Sequence, residues 1–440
     1  MEPVTLGLVA FAGMLVLIAL GVPIAFSMLG TSVIGFFILR GSIDHAVIQL
    51  GLTFTDQGMN FFLVAVPLYF LMGQLVYRTD IAFDLYDAIY KWLGWLRGGL
   101  AITSVVACAG FGAVSGGSVT AVATMGPMCM PAMRKYKYDD SLATGSIASA
   151  GTLGILIPPS VFMVVYGAWT ESSVGALFIA GIIPGIIMTV FYSGAIYLRC
   201  AVTPELGPVG ESFPWRERFL SLRKLIPILS IFLLVIGGIY LGIFDPTEAA
   251  GVGVAGLILI ALIMRRLTWK AFGTALVETI QTTGMIFVII VGGHMMGKFV
   301  IQTRLTEGLV DWILALQLSP LEVMLAFSLL YLALGMVLDV WGMLILTIPF
   351  VFPVIIELGF DPVWFGIYAM IMSELALITP PVGINVYVMA KIAPDVPLNK
   401  IFRGVTPFFF ATLIVVTLIV LFPEIALWLP HTAGMSTEAG

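Results

Sequence analysis

The sequence is poor in charge. Only 10% of its 440 residues are charged and 60% are hydrophobic, which gives a mean hydropathy of +1.09. A soluble domain carries roughly 25% charged residues, whereas apolar runs of about 17 to 25 residues, enough to cross hydrocarbon roughly 30 Å thick, recur along this chain. The composition excludes a soluble protein, and the diffuse net charge of -5 indicates no nucleic-acid partner.

Cysteine and histidine are scarce as well. The three residues of each type are scattered without metal-ligand spacing, so no disulfide, zinc or haem site is predicted. Metalloprotease, nucleophile-elbow, phosphate-loop and dinucleotide motifs are also missing, which argues against an enzyme. Because no ATP-binding motif is found, we expect any transport to be driven by ions, with no resident cofactor.

The apolar runs predict ten membrane spans. The first begins at Val4 without a basic leader region or a cleavage site, so we expect a retained helix and not a signal peptide. Three further segments set acids and bases into an apolar pattern, which is typical of helices that lie along the interface. The spans are 4–20, 22–39, 61–77, 139–169, 175–198, 225–243, 247–264, 283–301, 364–391 and 405–429, and the interfacial segments are 80–96, 268–281 and 304–317.

Two apolar segments, 98–134 and 321–357, are interpreted as hairpins that enter the membrane and return on the same side. Their arms of about 12 to 15 residues would reach only roughly 18 to 22 Å at 1.5 Å per residue. Each hairpin turns at a glycine-rich or polar tip, residues 112–118 and 335–342. Since bare backbone at membrane depth must be buried or line a wet cavity, we expect both tips inside the protein.

Basic residues predict the orientation. They cluster at the base of the first hairpin, and cytoplasmic loops carry the excess of lysine and arginine, so this base is placed in the cytoplasm. Threading the spans from that anchor puts 17 of the 20 lysines and arginines inside and both termini in the periplasm. The three outside are Arg40, Lys298 and Arg304, of which the last two would either steer an anion inward or anchor the protein in the membrane.

The chain also repeats itself at an offset of 222 residues. Pro127 matches Pro349, Pro131 matches Pro353, Asp139 matches Asp361, and the pair 158–159 matches 380–381, all without a gap. The first half contains five crossings and a hairpin, and an odd number of crossings turns the second copy upside down. We therefore predict an all-α membrane protein of two inverted repeats, with about ten or eleven transmembrane helices, two re-entrant hairpins and two broken helices.

The predicted domains follow from this repeat. The first repeat covers 1–200, with hairpin 98–134 and broken helix 139–169. A cytoplasmic connection covers 201–224. The second repeat covers 225–430, with hairpin 321–357 and broken helix 364–391, and a polar tail covers 431–440.

A double proline interrupts the helix that follows each hairpin. Proline has no amide donor and pushes the preceding residue out of helical geometry, so the backbone unwinds at 154–160 and 377–385. The freed carbonyls and the hydroxyls of Ser160 and Thr379 are hard ligands suited to a small cation. The positive N-termini of the half-helices can face an anionic substrate.

The hairpin tips carry matching polar groups. Ser115, Ser118 and Thr120 offer hydroxyls around two glycines; the alternative is tight packing through small residues. Asp339 at the second tip would be deep in the membrane, where an acid could ligate a cation, carry a proton or pair with a base. Glu374 is an acid of the same kind within a span, and it could instead snorkel to the interface.

Two other ionisable residues lie in or beside apolar spans. Glu278 is at the edge of one, and it could be functional like Asp339 or could snorkel to the interface. His294, beside two glycines, is interpreted as an interior histidine with satisfied hydrogen bonds.

With these motifs the chain resembles the large membrane subunit of TRAP transporters, the tripartite ATP-independent periplasmic carriers, of the DctM type. The resemblance runs from residues 21–27 through the Ser-Gly-Gly-Ser tip and the Ile-Pro-Pro-Ser break to the Thr-Pro-Pro-Val-Gly-Ile-Asn break. One departure is Gly117, where the family's tip more often reads Ser-Gly-Ser. The resemblance implies an elevator mechanism, in which both hairpins and both broken helices slide against the remaining helices.

The resemblance also implies ligands. A first sodium site would involve Ser115, Gly116, Ser118, Gly154, Ile157 and Ser160. A second would involve Gly335, Asp339, Thr379, Pro380 and Gly383. The substrate would lie between them, against Ser118, Thr120 and Asn385.

The function expected from the resemblance is sodium-driven import of an organic acid, a C4-dicarboxylate or similar carboxylate, through the bacterial inner membrane. A separate membrane subunit of four helices and a periplasmic binding protein would be partners. Two alternatives stay open at this point: a carrier of similar fold, coupled to sodium or protons, that works alone, and an intramembrane enzyme or scaffold.

Overall fold

The computed structural model describes residues 2–336 and 338–437, which contain helices and no β-strand. Seven helices are long and apolar enough to cross a membrane, or eight when a bent pair counts as one span, and five shorter apolar helices accompany them. The predicted all-α membrane class is confirmed. Met1 of the first repeat, Val337 of the second tip and the tail residues 438–440 lie outside the described residues.

The first half of the chain runs to the end of a 29-residue helix at Val202. A 3-10 turn, Phe61–Val64, leads directly into the fourth helix. The helices are α1 (Pro3–Ala19), α2 (Ile24–Arg40), α3 (Ile43–Gly58), α4 (Ala65–Arg78), α5 (Ile81–Leu93), α6 (Gly99–Ser115), α7 (Ser118–Lys135), α8 (Asp140–Ala150), α9 (Leu153–Leu156), α10 (Val161–Thr170) and α11 (Val174–Val202).

The second half follows a connection that includes the short helix α12 (Trp215–Ser221). Its helices are α13 (Ile226–Tyr240), α14 (Pro246–Ile263), α15 (Trp269–Gln302), α16 (Leu305–Ala315), α17 (Pro320–Gly335), α18 (Val340–Glu357), α19 (Pro362–Ala376), α20 (Ile384–Ile392), α21 (Leu398–Leu421) and α22 (Glu424–Thr432).

Helix boundaries in the two halves are related by the same 222 residues. Shifted by that offset, α7 coincides with α18 at both ends, and α2 coincides with α14 to within one residue at the C-terminal end. The double prolines, both in cis, also match. The offset was read from four prolines and one aspartate, yet it relates helices along almost the entire chain.

Contacts between the halves are reciprocal. Helix α2 packs against α15 while its counterpart α14 packs against α4, and α8 packs against α21 while α11 packs against α19. In the first pair of contacts, the Tyr69 hydroxyl donates to the Pro246 carbonyl at 2.7 Å, and Gly292 lies so close to the Ala25 carbonyl that a Cβ would be 2.9 Å away. Such an exchange of equivalent surfaces is expected for two units related by a two-fold axis. The orientation of each half in the membrane stays a prediction.

Outside the hairpins and broken helices, one prediction was wrong and one helix was not predicted. Segment 268–281 is not a separate interfacial helix, because α15 runs unbroken for 34 residues and contains no proline that would end it between this segment and the span that follows. Segment 43–58 was not predicted as helix, since Asp44, His45 and Asp56 make it too polar for a span, yet α3 forms there with Ser42 as its N-cap.

The hairpin arms are longer than predicted. They contain 17 and 18 residues in the first hairpin and 16 and 18 in the second, which corresponds to about 24 to 27 Å. The estimate of 12 to 15 residues was too short because the helices extend up to the tips, where α6 ends at Ser115 and α18 begins at Val340. The predicted last span, 405–429, also differs, since α21 ends at Leu421 before Pro423 and α22 follows separately.

Candidate functional site

The first hairpin turns within two residues. Helix α6 ends at Ser115 and α7 begins at Ser118, with Gly116 in the left-handed conformation (φ +60°) and Gly117 extended (φ -146°). Gly116 is required here because other residues strongly disfavour that conformation. Both serines are buried, so the predicted position of this tip inside the protein is confirmed.

The first helix break lies directly against this tip. Residues Ile157 and Ser160 are extended, between the end of α9 and the start of α10. A Cβ on Gly116 would lie 3.2 Å from the Pro159 carbonyl oxygen, and one on Gly154 would lie 3.0 Å from the Gly117 carbonyl oxygen. The structure therefore brings into contact the first tip and the first break, the two segments that contain the six residues predicted for the first sodium site.

Two hydroxyls at this junction have no hydrogen-bond partner. Ser115 and Ser160 are 2% and 0% exposed, and neither Oγ atom forms a hydrogen bond within the described residues. Buried polar groups are nearly always paired, and an unpaired one costs stability unless a ligand or water satisfies it. The junction thus presents two oxygen atoms that remain available for a ligand.

The second tip is closed by an aspartate. Asp339 is the N-cap of α18, and its carboxylate accepts a hydrogen bond from the Gly342 amide at 2.8 Å. On the other arm Gly335 lies against α19, where a Cβ would be 3.1 Å from the Cα of Ala376. The tip therefore packs against the helix just before its break, as the first tip packs against its own.

The second break is more open than the first. Pro380 and Pro381 are exposed, whereas Pro158 and Pro159 are both buried. Gly383 has a positive φ of 53° and starts α20. The Thr379 hydroxyl already donates to the Leu375 carbonyl at 2.7 Å, so its oxygen would serve a cation through a lone pair while keeping that bond.

A cavity of about 310 Å³ separates the two tips. Its walls are the first turns of α7 and α18, the two break regions, and the helices α4 and α15 on the opposite side. The lining residues are Gly116, Gly117, Ser118, Val119, Thr120, Asp339, Val340, Trp341, Ile155, Leu377, Ile384, Phe70, Thr282 and Met285.

The predicted substrate residues occupy different positions around this cavity. Ser118 and Thr120 line it, but Asn385 is fully buried and does not. The Asn385 amide donates to the Ser118 hydroxyl at 2.8 Å and to the Ala148 carbonyl at 3.2 Å. Asn385 therefore joins the second break to the first tip.

A wider opening of about 670 Å³ adjoins the cavity. It shares Asp339, Met285 and Ile384 with the smaller cavity and extends along residues 21–26 at the start of α2. This gives Asp339 access to both spaces.

Other candidate residues lie elsewhere. Glu278 forms an ion pair with Arg78 at 2.6 Å, away from the cavity. His294 stacks on Trp169 at 3.9 Å between ring centroids, with Nδ1 3.1 Å from the Ile290 carbonyl oxygen, as expected for an interior histidine with a hydrogen-bond partner. Lys298 and Arg304, considered for anion steering, pair with Asp56 at 3.1 Å and Glu307 at 3.9 Å.

The wall formed by Phe70, Thr282 and Met285 was missed in the sequence. These residues belong to spans of ordinary apolar composition, and only their contacts with the tips give them a place in the site. The one signal in the sequence is that Thr282 is a polar residue beside an apolar run.

Comparisons with known proteins agree on the family. Residues 11–425 match the family described as "Tripartite ATP-independent periplasmic transporter, DctM component". The chain is 34% identical to a C4-dicarboxylate TRAP transporter large permease protein of Pseudomonas aeruginosa, over 89% of this chain and 91% of that one. It is 33% identical to a sialic acid TRAP transporter large permease protein of Vibrio cholerae (95% and 97%) and 30% identical to an ectoine/5-hydroxyectoine counterpart of Ruegeria pomeroyi (96% and 98%).

A solved structure shares the fold. The YdaH transporter of Alcanivorax borkumensis superposes with a TM-score of 0.64 over 89% of this chain and 90% of its own, at 14% sequence identity. The chain, a multi-pass membrane protein with a transport function and not an enzymatic one, therefore belongs to the DctM family of TRAP transporter large permeases.

Proposed function

We propose that this chain carries an organic carboxylate together with sodium ions through the bacterial inner membrane. The observation that supports the proposal best is that two helix N-termini, the first turns of α7 and α18, line one cavity. Each N-terminus carries a partial positive charge that favours an anion. At α18 the Asp339 carboxylate already accepts from the Gly342 amide, and a sodium ion bound to Asp339 would offset its negative charge. Two of them around about 310 Å³ make a site for a small carboxylate.

Sodium coupling is supported by the groups beside that cavity. The first junction offers the unpaired hydroxyls of Ser115 and Ser160, and the second offers the Asp339 carboxylate and the Thr379 hydroxyl. Among the described residues no group of three or more histidine, cysteine or acidic side chains could hold a metal ion. Neutral oxygens with at most one carboxylate suit a monovalent cation better than a divalent one.

The similar permeases are named for different solutes, so they support a class of substrate and not a single compound. Permeases named for C4-dicarboxylates, sialic acid and ectoine all align over most of this chain. Their named solutes all bear a carboxylate, so we propose this group as the common feature and a C4-dicarboxylate as the first solute to test.

We further propose that an elevator motion carries the site. The hairpin unit is defined here as α6–α10 and α17–α20; its members pack on one another, with α7 against α8 and α20 and α18 against α19. The opposite wall of the cavity belongs to α4 and α15. Sliding of the hairpin unit past these two helices would carry both tips and breaks as one body.

The partners follow from the family description, which names a tripartite system. We propose a small membrane subunit of four helices and a periplasmic binding protein that delivers the solute. In this arrangement both termini of the chain face the periplasm, and the Arg134 end of α7 faces the cytoplasm.

The test is uptake of a labelled C4-dicarboxylate into proteoliposomes that contain this chain, its small subunit and its binding protein. We expect uptake with an inward sodium gradient and background uptake with choline in its place. Sodium-independent uptake would refute the coupling, and uptake by this chain alone would favour a carrier without partners. Sialic acid and ectoine, tested in parallel, would assign another solute if either replaces the dicarboxylate.

Single substitutions locate the ions. Ser115→Ala and Ser160→Ala should raise the sodium concentration needed for half-maximal uptake. Ser104→Ala is the matched control, because that buried serine lies in the same hairpin but already donates to the Leu100 carbonyl at 3.0 Å. Equal effects of all three substitutions would exclude a sodium site at the first junction.

A further inference from the structure

A buried carboxyl group lies behind the site without a partner. Glu374, on α19, is 1% exposed, and neither carboxylate oxygen forms a hydrogen bond of normal geometry within the described residues. It is five residues before Thr379 and contributes nothing to the cavity lining.

Glu374 belongs to a group of buried oxygens. The Ser118 hydroxyl faces its carboxyl group and accepts a hydrogen bond from the Asn385 amide at 2.8 Å. The Asn385 Oδ1 atom is itself unpaired, although the residue is 0% exposed. Three acceptor oxygens, two from Glu374 and one from Asn385, thus have at most the single proton of the Ser118 hydroxyl as a donor.

No cationic side chain balances this carboxyl group in the described residues. The buried ionisable groups on the helices packed against α19 are phenols and the Cys200 thiol, and the Tyr192 hydroxyl is already bonded to Thr152 and Thr412 at 3.1 and 2.8 Å. The charged residues on those helices and on α7, α8 and α20 lie in their first or last two turns: Arg134, Lys135, Asp140, Arg199, Glu322, Glu357, Lys391, Lys400, Arg403, Glu424 and His431.

An ionised carboxylate in such surroundings would be strongly disfavoured, because burial removes its hydration and nothing replaces it. The group must be neutralised by a cation that enters from solution. One cation would also satisfy the acceptor oxygens that the fold leaves unpaired.

We propose that Glu374, with Ser118 and Asn385, forms a third cation site that takes one proton or one sodium ion in each transport cycle. The site shares Ser118 with the first junction and differs from both junctions by the Glu374 carboxyl group, and it rests on the proposed function because it deepens the coupling of that same cavity. Ser118 belongs to both the cavity and the third site, so solute binding and occupation of Glu374 are linked through one hydroxyl group.

The experiment counts cations on the purified complex of this chain and its small subunit. Sodium chloride is titrated calorimetrically in buffers of different ionisation enthalpy, which reports the number of sodium ions bound and of protons exchanged. We expect Glu374→Gln either to bind one sodium ion fewer than the wild type or to bind the same number while losing a proton exchange. The first outcome assigns sodium to the site and the second assigns a proton.

The control is Glu278→Gln, which alters a carboxylate that is paired with Arg78 away from the site. It should leave both numbers unchanged. Identical sodium and proton numbers for Glu374→Gln and the wild type would overturn the third site. A wild type that binds neither ion would instead overturn the proposed coupling, so the two failures are distinguishable.

A second variant guards against loss of folding. If Glu374→Gln does not yield a folded complex, Glu374→Asp keeps the charge but withdraws it by one methylene group. It should bind the same number of cations with an affinity at least tenfold lower. An unchanged affinity would overturn the proposal, since a carboxylate that is moved away from a bound cation must bind it less tightly.

Discussion

A disulfide between α15 and α18 would decide whether the hairpin unit slides past α4 and α15, the helices on the opposite wall of the cavity. A Cβ at Gly297 would lie 3.9 Å from the Cβ of Pro349 and make only ordinary contacts there. This matches the mean separation of about 3.8 Å in disulfides, whose usual range ends near 4.5 Å. The double variant Gly297→Cys/Pro349→Cys should therefore cross-link in the described state.

The magnitude follows from helix geometry. Displacement of α18 along α15 by one turn, about 5.4 Å, would widen the separation from 3.9 Å to roughly 6.7 Å. A disulfide cannot span that distance without moving the backbone, so even one turn of sliding is blocked. We expect uptake to fall to the fraction of protein that escapes oxidation and to recover when a reductant is added.

The assay is sodium-driven uptake before and after oxidation, with the cross-linked fraction measured in the same proteoliposomes. Each single-cysteine variant controls for the substitutions. The native cysteines are free and buried at Cys108, Cys129 and Cys200, so they can be replaced beforehand if they react. Wild-type uptake by fully cross-linked protein would refute an elevator motion across this boundary.

Three further outcomes concern the fold around the site. Gly116→Ala should lower both uptake and melting temperature, because a left-handed alanine costs about 1–2 kcal/mol and its Cβ would lie 3.2 Å from the Pro159 carbonyl oxygen. Gly404→Ala should destabilise by about 1–3 kcal/mol, measured by thermal unfolding in detergent, since its Cβ would meet backbone atoms of α8. The Arg134 guanidinium holds the pKa of Asp395 below its usual value, so this pair stabilises above pH about 3.9 and the stabilisation is lost as the pH falls through the lowered pKa. Asp395→Asn should therefore flatten the decline of melting temperature at acid pH.

Substitutions at two other glycines provide the controls for the glycine variants. Gly117→Ala should be tolerated, because Gly117 is extended and a Cβ there is 3.4 Å from the nearest side-chain atom. A Cβ at Gly237, within α13, meets nothing within 4 Å, so Gly237→Ala should not destabilise. Equal losses of uptake and melting temperature in Gly116→Ala and Gly117→Ala would contradict the argument for the left-handed glycine. Equal melting temperatures of Gly404→Ala and Gly237→Ala would contradict the argument for close packing. A melting temperature of Asp395→Asn that falls with acid pH in parallel with the wild type would contradict the argument for the ion pair.

Much of the architecture could be predicted because hydrophobic length and proline position are local properties. The double prolines at 158–159 and 380–381 located both breaks, and Gly116 located a tip, since each residue restricts its own backbone. Helix α3 was missed because its polar composition does not reach the hydropathy of a span. The offset could have found it, since the shifted segment overlaps the start of α15.

The composition of the site was harder to predict because it depends on distance across the fold. The hydrogen bond from Asn385 to Ser118 joins residues 267 positions apart, and no local pattern indicates it. The same holds for Thr282 and Met285, which reach the cavity only because α15 lies across from both tips. Glu374 was noted as an acid within a span, but its burial and its isolation from every base among the described residues became visible only in three dimensions.

The unbroken helix α15 sets the two repeats apart. Its counterpart region in the first half is bent between α3 and α4 around Asn60, while α15 runs for 34 residues, about 51 Å, well beyond a hydrocarbon layer of roughly 30 Å. If exchanging the conformations of two related repeats converts an outward-facing carrier into an inward-facing one, identical repeats would give two states of equal free energy. One continuous helix in the second repeat and two separate helices in the first would make those two states unequal in free energy, so the empty carrier would then favour one of them.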